Sequence, residues 1–124
     1  MMLMENKFEE MVQEAIDHIP EQYQQKMEHV AIVIEEEPSD HQRQKLGLRQ
    51  CDALFGLYEG IPLPNRGGVK LQIQPDVITI FKHPMLDIFT TEQSLKKQIY
   101  ETLWHEVAHF FGLDHGQIHK VKKS

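Results

Sequence analysis

Apolar residues at Phe8, Met11, Val12, Ala15, Ile16 and Ile19 follow the i, i+3, i+4, i+7 spacing of an amphipathic helix. Pro20 stops that helix and suits the first turn of a shorter one through "EQYQQKME". "HVAIVIEEE" is a short β-branched run that ends in acids and then "PSD", as a strand does when it leaves the core. Residues 37–52 are polar and weakly patterned, with at most a helical turn in "DHQRQKL". "FGLYEGIPLPNRGG" is dense in Gly and Pro and predicts a shaped loop. "VKLQIQ" alternates, and "VITIFK" is a compact β-branched run, so two further strands are expected. The second should end at His83, because a residue before proline is biased out of the helical region; "PMLDIF" then suits a short helix.

Thr90, with Gln93 three residues on, matches a capping box and predicts a last helix running to about Phe111. Leu95, Ile99, Leu103, Trp104, Val107, Phe110 and Phe111 cover more than half of its circumference, so this helix should be central and buried. Its one polar stripe carries Gln98, Glu101, Thr102, His105 and His109. Inward-facing polar groups need partners, and a metal ion is one way to supply them.

His105 and His109 lie only about 40° apart around a helix and about 6 Å apart along it, so their imidazoles can share one ion. Glu106 sits about 100° from His105, within reach of a water on that ion. This is the chemistry of H-E-x-x-H: two neutral imidazoles hold Zn2+ and the glutamate acts as general base on the zinc-bound water. A catalytic zinc needs a third protein ligand. On an unbroken helix His115 would lie about 120° round from His109 and about 9 Å beyond it. Gly112 can end the helix in a left-handed conformation and swing His115 back, making it the expected third ligand. Asp114 is the alternative, either as a ligand or as an acceptor for a histidine N–H. His18, His29, His41, His83 and His119 have no such spacing and suit surfaces or loops.

Bulk properties narrow the picture. At 124 residues the chain is expected to form a single domain over 1–124. Its formal charge of -6 opposes nucleic-acid binding, and the basic tail "HKVKKS" suits a solvated end. A lone cysteine, Cys51, excludes an internal disulfide and suits the cytoplasm. No stretch has the composition of a signal peptide or membrane span.

The string H-E-x-x-H-x-x-G-x-x-H, from His105 to His115, is the zinc signature of metzincins, but the Met-turn that should follow is absent. "FEEMVQEAIDHIPEQ", "FGLYEGIPLPNRG", "DVITIFKHPMLDIF" and "HEVAHFFGLDH" together resemble the small bacterial zincin-like metallopeptidases over almost the whole chain. That resemblance implies an α+β minimal zincin: a small mixed sheet packed against N-terminal helices and a C-terminal active-site helix. It also implies one Zn2+ per chain and a peptide or protein substrate. Many members carry an acidic residue where His115 stands, so the third ligand varies. Zincins bind extended substrates along an edge strand, for which "VITIF" or "VAIVI" are the candidates. Tyr58, Arg66 and His83 are candidate donors opposite the metal.

Two other functions compete. "HFFGLDH" also resembles the H-x-x-x-H-x-x-x-x-x-H end of the bacterial rRNA-maturation endoribonucleases, although that family has a small residue where Glu106 stands. A metal-stabilised binding module without catalysis is the other.

Overall fold

Proline and capping boxes place several of the helix starts. In the computed structural model, which describes residues 6–48, 53–61 and 76–113, α1 spans Lys7–Asp17 and buries Phe8, Met11, Val12 and Ala15. Pro20 precedes α2 (Glu21–Gln24), which tightens into a 3-10 turn over Gln25–Met27. β1 (Val30–Glu35) follows, with alternate residues half-buried. α3 (Asp40–Leu46) starts at a reciprocal box in which Ser39 Oγ accepts from Gln42 N and Gln42 Oε1 accepts from Ser39 N. The "DHQRQKL" turn is therefore a capped two-turn helix.

β2 (Gly56–Glu59) lies where the sequence predicts only a loop. Its identity as a strand comes from a distant partner, since it pairs antiparallel with β3 (Asp76–Phe81) in the register Gly56↔Ile80 to Glu59↔Val77. β1 pairs parallel with the other side of β3, from Val30↔Asp76 to Glu35↔Phe81. The sheet order is β1-β3-β2, so β3 is the central strand. "VITIF" is thus not an edge, and the edges among the described residues are β1 and β2. The expected "VKLQIQ" strand lies outside those residues.

α4 (Lys82–Ile88) begins before Pro84 and takes in His83, earlier than the pre-proline rule suggests. Pro84 falls in the first turn, where its missing N–H would have had no helical partner. The N–H of His83 instead reaches Glu36 O at 3.0 Å, tying α4 to the end of β1. α5 (Glu92–Phe110) is capped by Thr91 and Ser94, one residue later than the Thr90–Gln93 pair. It packs against α1, β2 and β3. Leu95, Ile99, Leu103, Trp104, Val107 and Phe110 are all buried on it, as expected of a central helix. The result is an α+β fold in which a small mixed sheet and the first helix both rest on α5.

Candidate metal centre

The C-terminal half of α5 carries His105, Glu106 and His109 between buried neighbours. The imidazoles of His105 and His109 stack edge-on with centroids 4.5 Å apart. One ligand atom from each imidazole and a Glu106 carboxylate oxygen all lie within 4.8 Å of one another. His109 is exposed and His105 half-buried, whereas Glu106 retains only 6% of its surface. The cluster sits at the boundary between core and solvent, where an ion can enter while the carboxyl beside it stays shielded.

Glu106 is drawn closer than the helical wheel alone suggests. Its Oε1 accepts the Tyr58 backbone N–H at 3.0 Å and lies 3.2 Å from His109 Nδ1. Burial pushes its carboxyl above the ordinary carboxylate range; the His105 charge and the Tyr58 N–H pull it partly back. A carboxyl so placed is held nearer to neutrality than one on a surface.

β2 can approach α5 because Gly56 has no side chain. A Cβ there would stand 2.6 Å from Thr102 Cγ2 and 3.3 Å from Glu106 Cγ. The polar stripe continues away from the centre, with Gln98 Nε2 donating to Thr102 Oγ1 at 2.8 Å. The Tyr58 hydroxyl donates to the buried Asp76 at 2.7 Å, fixing the strand residue whose N–H meets Glu106. The strand contact was hidden in the sequence, because β2 is short, glycine-containing and recognisable only through β3. The Gly-x-Tyr alternation at Gly56 and Tyr58 is the sole local trace of it.

Gly112 behaves as the motif requires. Its φ is +73°, the N–H of Leu113 closes on Ala108 O at 2.9 Å and that of Gly112 on His109 O at 3.0 Å. This is a Schellman end, and it turns the chain sharply one turn after His109. His115 and Asp114 lie outside the described residues, as do Arg66, Cys51 and His119. Of the other candidate donors, Tyr58 lies beside Glu106, while His83 is engaged with Glu36 and Glu37. His18, His29, His41 and His83 are exposed.

A mixed sheet resting on a long helix that presents H-E-x-x-H defines a zincin-like protein. The chain belongs to the zincin-like metallopeptidase family, whose model matches residues 27–124. Among solved structures, a conserved hypothetical protein from Thermus thermophilus is similar, with a TM-score of 0.58 and 18% identity. That likeness covers 86% of this chain and 92% of the other, and it concerns the fold. No curated protein matches the chain. No helix among the described residues is long and apolar enough to cross a membrane.

Proposed function

We propose that this protein is a zinc-dependent peptidase in which His105, His109 and His115 hold one Zn2+ and Glu106 is the general base. The carrying observation is the convergence of two imidazoles and one carboxylate within 4.8 Å at the solvent end of α5. The two imidazoles would hold the ion, and the Glu106 carboxylate beside them would reach a water on it. The donor set, two nitrogens and a neighbouring acid, suits zinc better than a hard oxygen-seeking cation.

Bound zinc supplies Lewis acidity, which acidifies water and polarises a carbonyl. Glu106 takes the proton of the attacking water and passes it to the leaving amine nitrogen. Its burial favours accepting that proton, and the Tyr58 N–H keeps its Oε1 oriented. The Phe81 N–H to Phe55 O bond makes Phe55, and by alternation Leu57 and Glu59, the positions that pair with β3. The backbone polar groups of Gly56 and Tyr58 then face the opposite edge, where Glu106 takes the Tyr58 N–H and the Gly56 N–H and the two C=O groups would meet an extended peptide main chain beside the centre. Wild type and Glu106→Gln should both carry about one zinc by elemental analysis, and only wild type should cleave a diverse peptide mixture. Cleavage of a structured RNA that is indifferent to Glu106→Gln would instead establish the ribonuclease alternative. Chelation that lowers the melting temperature of a protein cleaving neither substrate would leave a metal-stabilised binding module. A cytoplasmic location fits this reading.

A further inference from the structure

α1 and α5 do not close completely on one another. Between them lies a groove of about 440 Å³, floored by Met11 and Ala15 and flanked by Tyr100, with Lys96, Lys97, His18 and Glu14 around its rim. That volume falls within the roughly 300–1,000 Å³ typical of small-molecule sites. The groove is separate from the candidate metal centre, since Tyr100 and His105 lie about 140° apart around α5. Its floor is apolar but nearly covered, Met11 and Ala15 keeping 2% and 5% of their surface, so the half-buried Tyr100 ring and the lysine stems supply the accessible apolar wall. Its rim departs from the charge of the chain as a whole. In a protein of formal charge -6, two lysines oppose one carboxylate there, with the His18 ring beside them. The one acid, Glu14, lies 3.7 Å from Lys96 across the groove. His18 is held in place by a 2.7 Å contact from its Nδ1 to Glu14 O, which leaves Nε2 as its outer ring nitrogen.

We propose that this groove is a second binding site, for a small amphiphilic carboxylate. The apolar tail of the ligand lies along the Tyr100 ring and the lysine stems, above Met11 and Ala15. Its carboxylate takes the place of Glu14 beside Lys96 and gains Lys97 as a second cation. An apolar floor with cations at the mouth selects for that pairing of tail and charge over either alone. Long lysine stems that lie along apolar surface while their ammonium groups stay in water serve both halves of the ligand.

The probe is octanoate, titrated into the full-length protein and followed by backbone amide NMR, with 1-octanol as the uncharged control. Saturable shifts confined to residues around 11–18 and 96–100 are expected, with octanol at least about threefold weaker. One rim ion pair is worth up to about 1 kcal/mol, or about fivefold. Lys96→Met combined with Lys97→Met, which keeps the stems and removes the charges, should therefore weaken octanoate about tenfold and leave octanol unchanged. Glu14→Gln removes the competing carboxylate and should tighten octanoate about threefold. All three substitutions fall on exposed or partly exposed side chains, so loss of fold does not confound them. Octanol binding as tightly as octanoate, no effect or an opposite effect of Glu14→Gln, or shifts spread over the whole molecule would each overturn the proposal.

Discussion

Substituting Gly56 by Ala tests how closely β2 rests on α5. The new Cβ would meet Thr102 Cγ2 at 2.6 Å, with Glu106 Cγ and Thr79 O both at 3.3 Å. Ordinary carbon contacts lie near 3.5–4.0 Å, so strand and helix must part by about 1 Å. Overpacking of this kind costs about 1–3 kcal/mol. For a chain of this size each kcal/mol is about 4 °C, so the melting temperature should fall by about 4–12 °C. The same displacement would stretch the 3.0 Å bond from Tyr58 N–H to Glu106 towards about 4 Å and break it. Thr102→Ser removes the clashing methyl but keeps a hydroxyl for Gln98, and alone should cost about 1 kcal/mol. In urea unfolding of wild type, both single variants and the double variant, the double variant should be more stable than the sum by about 1–2 kcal/mol. Strict additivity, or a Gly56→Ala cost below about 0.5 kcal/mol, would show that β2 does not sit against Thr102 as described.

Three further outcomes are expected. In metal-free protein Glu106→Gln should raise stability at neutral pH. The folded carboxyl titrates above its unfolded value, so its favourable contribution is complete below about pH 4 and is lost as pH rises through the folded pKa. The gain should therefore shrink to nothing in acid, and a gain that instead grows as pH falls would reverse the assignment. Gly112→Ala forces a Cβ into a φ of +73° and should cost about 1–2 kcal/mol in chelator, whereas Gly112→Asn should cost less; equal costs by thermal melting would contradict the left-handed helix end. His115→Ala should weaken zinc binding at least about tenfold in competition with a chromogenic chelator while Asp114→Ala weakens it less, and the reverse order would make Asp114 the third ligand.

The parts of this fold that follow from short-range patterns were legible in the sequence. Phe8, Met11, Val12 and Ala15 fix α1, and the β-branched runs fix β1 and β3. The start of α5 shifted by one residue because two threonines stand side by side, and either has a polar residue three positions on. Thr91 Oγ1 wins by accepting from Ser94 N at 3.1 Å, while the Ser94 hydroxyl turns back to the same cap. β2 was lost for a different reason. Gly56 and Gly60 bracket it, so its composition is that of a turn, and its existence depends on pairing with β3 and on the space beside Thr102. At the candidate site the H-E-x-x-H spacing is written locally. The carboxylate's main-chain partner, forty-eight residues away on β2, is not.

That difference also says what holds the site in place. Tyr58 N–H gives Glu106 one directional contact, but the orientation of both imidazoles is set by residues that do no chemistry. Trp104, Val107, Ala108 and Phe110 flank the two histidines and Glu106 in sequence, and all four are buried. Rotating α5 by one residue, about 100°, would carry side chains such as Val107 and Phe110 towards water, at about 2 kcal/mol each. It would also bring Glu106 away from its strand partner, leaving the Tyr58 N–H to find another acceptor. The core therefore selects one rotation of the helix, and that rotation is the one in which His105 and His109 face solvent together while Glu106 faces β2. A helix otherwise apolar around most of its circumference is what such selection requires, so the hydrophobic pattern of α5 serves the site as much as the histidines do.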